Sequence, residues 1–521
     1  MLINKRFAAY RSRNWPIYLH LKTKIKQEIV KAKRTWLAKS ASNSNGFWKS
    51  VSEIRNKRHA NSLVSLLNQF SCLRVAIEEI NTSLCKSFSD PPDWTQINLT
   101  IQNAKLAESC SPSSWNPTIT VLEVRSELRK LNVKKAPRSD KLPPRLLRAG
   151  SDAFAPILAH LINLSVKTKE VPQKWKLANI VPIPKKRSPT LDDLRPISLL
   201  PIFGKICEKL LLASVKNQLI SLYGTDQFGF RPHSSTTLSH IKLHNFITDK
   251  LEIATIDSVL LLSFDMSRAF DSLDHGALMG TLLHSGLPID FVHWCSDYLQ
   301  HRQQRVVVDN LSSSARNITS GVPQGSIVAP FLFCVQMRTA KPLSTEAIIL
   351  KYADDILIAV PVPGNAVIST IINSETANME KWCKENGLRL NTSKTKCLLI
   401  SKKGKAALVD GLSCVTLSKE LKFLGLIYNS ECNWKSHVSY TIQSASRMMY
   451  VLRQLKFFLP KQLLIRVYRA VIRSKLEYCN AVFVGLPAGE AMRLESIQKA
   501  CHRIICGLHC RCTDFQLLAK K

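Results

Sequence analysis

The stretch Ile348-Ile349-Leu350-Lys351-Tyr352-Ala353-Asp354-Asp355-Ile356-Leu357-Ile358-Ala359-Val360 constrains this chain more than any other. Two apolar, β-branched runs of strand length flank a pair of adjacent carboxylates. That pattern predicts two strands joined by a tight turn carrying Asp354 and Asp355. Acids side by side repel each other unless a cation neutralises them, and hard oxygen ligands of this kind suit Mg²⁺. A solvated turn is the plainer reading, because Asp is common in turns. A second segment weighs against it. Ser258-Val259-Leu260-Leu261-Leu262-Ser263-Phe264 has the pattern of a buried strand and ends at Asp265. A lone carboxylate there costs energy unless it binds something. With that strand beside the hairpin, Asp265 and Asp354 converge on one pair of metal ions, the arrangement that clamps an in-line phosphoryl displacement.

Further segments fall in a fixed order around these two. Phe264-Asp265-Met266-Ser267-Arg268-Ala269-Phe270-Asp271 is followed by Gly321-Val322-Pro323-Gln324-Gly325-Ser326 and then by Tyr352-Ala353-Asp354-Asp355. Together they resemble the palm of a reverse transcriptase. Leu194-Arg195-Pro196-Ile197-Ser198-Leu199-Leu200 and Gln227-Phe228-Gly229-Phe230-Arg231 make the chain similar to non-LTR retrotransposons of the jockey type. The ordered set covers about half the chain and is far more specific than any one motif.

The resemblance implies an α+β fold of the right-hand polymerase kind, with fingers, an antiparallel palm sheet, a thumb, and helical N- and C-terminal regions. It implies an RNA-directed DNA polymerase that extends a DNA primer or target on an RNA template from dNTPs. Asp265, Asp354 and Asp355 would be catalytic and would hold two Mg²⁺ ions, or Mn²⁺ in their place. Lys185 and Arg195 match the fingers that hold the triphosphate, and Arg195 can fork onto phosphate oxygens. Gln324 and Gly325 match the template- and nucleotide-contacting segment. Phe270 matches the residue that lies under the sugar and excludes a 2′-hydroxyl, although an ordinary core Phe fits that position too. Lys394 or Lys396 stands where a lysine could protonate the leaving pyrophosphate; Lys394 is assigned to substrate and the other to the surface. The implied setting is nucleus and cytoplasm, as a ribonucleoprotein. No stretch resembles the endonuclease or ribonuclease H segments such elements encode, so the chain is expected to begin after the former. A remnant that binds nucleic acid without activity is the alternative. An RNA-templated RNA polymerase is a third reading, which Phe270 opposes.

Composition agrees with a polyanionic partner. The 521 residues carry a formal charge of +35, and 45% hydrophobic content argues for a globular chain with a large core. The cations are spread along the chain and not gathered in one cluster, which weakens a membrane surface as the partner. No apolar run reaches membrane-span length, and Met1-Leu2-Ile3-Asn4-Lys5-Arg6 lacks the apolar core of a signal peptide. Fifteen cysteines without paired spacing suit reduced thiols. Cys501, His502, Cys506, His509, Cys510 and Cys512 cluster near the C-terminus, but their spacing matches no zinc finger.

Along the chain, four regions are expected: 1–118, basic, helical and ending in a linker; 119–164, a helical lead-in; 165–428, fingers and palm; and 429–521, a helical thumb-like region. In the first, residues 17–37 read as an amphipathic helix with Leu21, Ile25, Ile29, Ala32 and Trp36 on one face and Lys22, Lys24, Lys26, Lys31, Lys33 and Arg34 around the rest, either a solvated basic face or a grip on a phosphate backbone. A second helix is expected over 62–84, and a linker over the Ser-, Pro- and Asn-rich 89–118. Thr120 and Glu123 form a capping-box pattern before the next helix. Arg138 and Lys141 stand where the family usually shows glycines, which permit backbone shapes that Arg and Lys resist. Residues 175–185 read as a strand running into the basic tip of Lys185 and Lys186, and 203–222 as a helix. Asp274 is expected to cap a helix, with His275 structural. Residues 334–339 lack the family's usual Asn-Asp, so the segment joining that motif to Tyr352 is expected to be remodelled. Residues 376–386 are expected to be helical, Leu421 to Gly425 to form the primer-grip hairpin, and the chain from Ser436 onward to be helical again.

Overall fold

The computed structural model describes residues 2–41, 47–48, 51, 60–108, 115–186, 188–402, 416–483 and 485–507. It is a mixed α and β protein with two compact units. One comprises Met1–His59, Leu426–Tyr428 and Cys432–Lys521, and the other comprises Ala60–Gly425 and Asn429–Glu431.

The first unit is largely helical. Helices α1 (Leu2–Arg11) and α2 (Trp15–Ala41) pack as a hairpin whose turn holds Arg13 at φ +55°. The apolar stripe of α2 is covered only in its first half: Leu21 and Ile25 are buried, whereas Ile29 and Trp36 are exposed. Helices Lys435–Leu455, Lys461–Tyr468 and Ala488–Cys506 enclose a core of Leu464, Val467, Tyr468 and Ile472. Cys501 belongs to that core. Of the cysteine–histidine cluster, His509, Cys510 and Cys512 lie outside the described residues.

The second unit holds two main sheets. Its longer strands are β1 (Leu177–Pro184), β2 (Leu194–Leu199), β3 (Ile256–Phe264), β4 (Gln303–Val308), β5 (Ile348–Tyr352), β6 (Asp355–Pro363) and β7 (Lys396–Ser401). One sheet places β1 between an antiparallel β2 and a parallel β4. In the other the order is β7-β3-β6-β5, antiparallel throughout, with Thr416–Leu417 parallel on the free edge of β7. Continuous apolar runs suit strands covered on both faces, and β6 is buried from Ile356 to Val362. Helices Ile289–Leu299 and Ala329–Met337 share a core with β3 and β6, built on Phe291, Trp294, Phe331, Phe333, Leu262 and Ile358. Helix Thr236–Glu252 also packs on β3, β5 and β6.

Residues 60–108 pack into this second unit. The helix expected over 62–84 is two, Ala60–Leu67 and Leu73–Cys85, and Ile77, Ile80 and Leu84 of the latter share a core with β1 and β4. The linker expected over 89–118 is corrected: Trp94–Glu108 is a helix. Asp93 caps it by accepting from the backbone of Thr95 and Gln96, and Trp94, Ile97 and Ile101 turn one face into the core at helical spacing. The capping box at Thr120 and Glu123 opens helix Val121–Arg129. Lys141 adopts φ +58°, the left-handed conformation that a glycine takes without strain. The helix expected over 203–222 breaks after Ser214, with Leu211 and Val215 buried. That expected over 376–386 is longer, Ile368–Glu385. Leu424 and Gly425 form a positive-φ turn after the strand Glu420–Phe423.

Candidate active site

Strand register brings the three acids to one end of the antiparallel sheet. Phe264 of β3 faces Ile356 of β6, so one further step sets Asp265 beside Asp355. Tyr352 pairs with Asp355, which leaves Ala353 and Asp354 as a two-residue turn. Ala353 sits at φ +57°, a strained conformation for a residue with a Cβ. Neighbours hold it there. The buried Gln227 accepts through Oε1 from the backbone N–H of Gly229 (2.8 Å) and of Ala353 (3.3 Å). Phe228 N–H donates to Lys351 O, and Lys351 N–H to Asp226 O, both at 2.8 Å. Gly229 lies so close to Ala353 that a Cβ there would collide with its amide nitrogen.

Below this turn an internal ion pair stiffens β5. The Lys351 side chain is fully buried, its Nζ 3.0 Å from Asp226 Oδ2 and 2.8 Å from Ala340 O. Burial lowers the ammonium to about 8, and the same pairing holds the Asp226 carboxyl below its ordinary value despite burial.

Asp354 and Asp355 at the tip lie with their carboxylates raised, not lowered, by their surroundings. Burial pushes Asp354 upward, and the Asp265 charge adds to this. Burial, then the charges of Asp354 and Asp265, push Asp355 up to about 6 although it reaches solvent. Three mutually repelling carboxylates at a sheet end are a donor set that a hard divalent cation would neutralise. Among the described residues no three metal-ligating side chains are drawn together tightly enough to cage an ion. The charge on Asp265 is countered instead by Lys394, whose Nζ lies 3.1 Å from Oδ2. Lys396 stands exposed at the start of β7.

Cations gather on the same side. Lys185 follows β1 at the tip of the β1–β2 hairpin; burial depresses its ammonium, and so do Arg195, Arg268 and Lys394 around it. Arg195 and Lys185 both act on Asp354 electrostatically. Lys186 is mostly exposed and pairs with Asp193 at 2.8 Å. A cavity of about 690 Å³ beside Asp265 is lined by Lys86, Lys185, Arg268, Arg389 and Lys394 among others.

The loop carrying Gln324 is sewn to the strands around it. Val322 N–H donates to Phe270 O and Ser198 N–H to Gln324 O. Gly325 sits at φ +131° against Ser198 O, where no side chain fits. Gln324 Nε2 donates to both carboxylate oxygens of Asp271, at 2.9 and 3.0 Å. Burial raises Asp271 to about 6, partly offset by these bonds and by Arg268. Farther along, buried Glu208 accepts from Ser326 Oγ and from the N–H of Ile327 and Val328, anchoring the loop at the start of helix Ala329–Met337. The Phe270 ring stacks on Phe333 at 4.2 Å and meets the edge of Phe230 at 6.2 Å. Phe230 is half-exposed at φ +59°. Asp274 caps helix His275–Leu283, and buried His275 bonds Gly321 O at 2.7 Å, its imidazole held neutral by burial at about 4.

Reading the sequence for catalytic groups missed Gln227, Asp271 and Glu208, which hold other residues in place. The signal for Glu208 was a lone acid amid the apolar run of Ile206, Leu210 and Leu211. Gln227 and Asp271 lay inside quoted motifs without an assigned part.

Residues 183–428 match the reverse transcriptase (RNA-dependent DNA polymerase) family. The chain is 27% identical over 389 residues to the RNA-directed DNA polymerase from mobile element jockey of Drosophila melanogaster, covering 70% of this chain and 41% of that protein. It is 24% identical over 382 residues to the jockey polymerase of Drosophila funebris, with the same coverage. The chain thus spans about two-fifths of the length of these curated relatives. Among solved structures, a telomerase from Candida albicans, in complex with a TWJ fragment of telomeric RNA, is similar at 12% identity and a TM-score of 0.39. That similarity covers 76% of this chain and 74% of the other.

Proposed function

We propose that this chain, which carries a reverse transcriptase domain over residues 183–428, is an RNA-directed DNA polymerase of a jockey-like non-LTR retrotransposon. The observation that carries this reading is the convergence of Asp265, Asp354 and Asp355 beside a basic cavity. In this reading the β1–β2 sheet belongs to the fingers, the β7-β3-β6-β5 sheet is the palm, and the region 429–521 serves as the thumb. The template is RNA, the primer or target is DNA, and the substrates are dNTPs. The working setting is nucleus and cytoplasm, as a ribonucleoprotein.

Asp265, Asp354 and Asp355 would hold divalent cations, Mg²⁺ or Mn²⁺, which when bound activate the primer's 3′-hydroxyl and neutralise the leaving pyrophosphate. Lys185 and Arg195 bind the triphosphate, Arg195 through its planar fork. Lys394 Nζ, drawn off Asp265 as the site fills, gives its proton to the leaving pyrophosphate oxygen. Gln324, aimed by Asp271, orients the nucleotide on its template with Gly325. Phe270, braced from behind by Phe333, closes the space a 2′-hydroxyl would need.

Primer extension on a poly(A) template primed with oligo(dT) tests the reading. Extension with dTTP and none with UTP is expected. Extension with UTP would point to an RNA polymerase, and extension with neither to a remnant without activity.

A further inference from the structure

The α1–α2 hairpin carries an aromatic group that no part of the polymerase reading uses. Tyr10 closes α1, Trp15 opens α2 and Tyr18 follows one turn later. Their rings meet in a trio: Tyr10–Trp15 at 5.8 Å and 87°, Trp15–Tyr18 at 5.8 Å and 87°, and Tyr10–Tyr18 at 5.7 Å and 51°. Edge-on contacts fix the rings against one another and leave faces uncovered. Tyr10 and Trp15 are 54% and 52% exposed. Cations lie on the same two helices. Lys22 Nζ stands over Tyr18 at 6.0 Å and Arg6 over Phe7 at 5.5 Å. Residues 2–41 hold eleven lysines and arginines and a single acid, Glu28.

Two features narrow the partner. Open aromatic faces inside a field of positive charge fit a ligand that alternates flat rings with anions. Single-stranded nucleic acid is that ligand, because each unpaired base has a face to stack and each link a phosphate. A duplex hides its base faces, so it could use the charge and not the rings. A membrane surface would meet an interrupted aliphatic stripe, since Ile17, Leu19 and Ile29 are exposed but Leu21 and Ile25 between them are buried within the protein.

We propose that the α1–α2 hairpin is a stacking platform for single-stranded nucleic acid, with Tyr10 and Trp15 taking base faces, Tyr18 bracing them, and Lys22, Lys24 and Arg13 taking phosphates. The proposal rests on the polymerase reading only for expecting nucleic acid at all, and its test is binding, which needs no catalysis.

The test uses the full chain and a labelled oligouridylate of about 20 nucleotides, read by fluorescence anisotropy across a salt series. Tyr10→Ala/Trp15→Ala should weaken binding about tenfold or more with an unchanged salt slope. Trp15→Phe, which keeps a ring, should stay near wild type. Lys22→Ala/Lys24→Ala should lower the salt slope by about 1.4. Affinity for duplex RNA should not change in the aromatic variant. Unchanged oligouridylate affinity in that variant, or an equal loss on the duplex, would overturn the platform. So would wild-type binding to phosphatidylserine vesicles that is tighter than to the oligonucleotide and lost in the same variant. Should the expected binding pattern appear in a chain that extends no primer, the platform stands and the polymerase reading falls.

Discussion

Strand β5 and the turn that follows it carry two kinds of charge that the protein treats oppositely. Lys351 and Asp226 lie inside the sheet and answer each other at 3.0 Å, with Ala340 O taking a further ammonium proton. A few residues on, Asp354 and Asp355 face each other and Asp265; Lys394 answers Asp265, and the other two are left short of positive charge. A fold that pairs a buried lysine so fully has the means to pair its acids. Leaving Asp354 and Asp355 in mutual repulsion at a sheet end marks a place whose partner comes from outside. The lesson is that satisfaction of charge separates scaffold from site more cleanly than burial does.

The sharpest way to break this comparison is to mutate both ends of the strand. Lys351→Met leaves buried Asp226 with only the exposed Lys341, 3.5 Å away, and should destabilise the chain by about 3 kcal/mol in denaturant unfolding. Asp226→Asn in the same chain should recover much of that. Asp355→Asn, by contrast, removes a repelled charge and should leave the melting temperature unchanged or slightly raised at pH 7. A large stability loss from Asp355→Asn would mean that this acid is scaffold too.

Gln227 sharpens the comparison at the turn itself. Gln227→Leu removes the acceptor for the Ala353 N–H. It should lower kcat about tenfold, from the roughly 1–3 kcal/mol cost of an unsatisfied buried group, with KM for dNTP nearly unchanged. Gln227→Glu keeps the acceptor and should restore much of the rate; equal loss in both variants would rule out this positioning role. Comparable in size is the sugar choice at Phe270. Phe270→Ala should admit ribonucleotides, raising kcat/KM for GTP relative to dGTP by about tenfold or more. An unchanged ratio would make Phe270 a core residue that merely stacks on Phe333.

The smallest effect expected is a pH dependence at Asp271. Its carboxyl, raised to about 6, is ionised at neutral pH and accepts from Gln324. Acidification through pH 6 protonates it and frees Gln324, so KM for dNTP should rise a few-fold below that pH. Stability moves the other way. A carboxyl raised in the folded state contributes stability that is fully present below about pH 4, its unfolded value, and is lost as pH rises to 6. The KM limb therefore cannot come from unfolding at this group, and Asp271→Asn should flatten it. A limb that persists in that variant would place the titration elsewhere.

The paired strands, the turn at Asp354 and the strand leading to Asp265 were legible because buried strands write themselves as apolar runs, and an acid ending such a run is conspicuous. The helix caps at Thr120 and Asp274 were legible for the same local reason. The helix Trp94–Glu108 was not, since Ser, Pro and Asn around it outweighed the spacing of Trp94, Ile97 and Ile101, and only the core they enter decides the matter. Nor were the splints. Gln227 acts on a residue 126 positions away, Glu208 on a loop 118 away and Asp271 on one 53 away. Contacts of that length depend on topology, which motif order implies and residue spacing does not. The positive φ of Lys141, at a position suspected from its missing glycine, shows a departure tolerated as local strain.

The measurement that tests the central claim most directly is primer extension by Asp354→Asn on an RNA template in Mg²⁺, with RNA affinity measured on the same preparation. The substitution removes one carboxylate charge from the tip and leaves every cation proposed to bind phosphate in place. Extension should be abolished while RNA binding stays near wild type. Extension at a tenth of the wild-type rate or better, with RNA binding intact, would contradict the assignment of these acids as the catalytic centre.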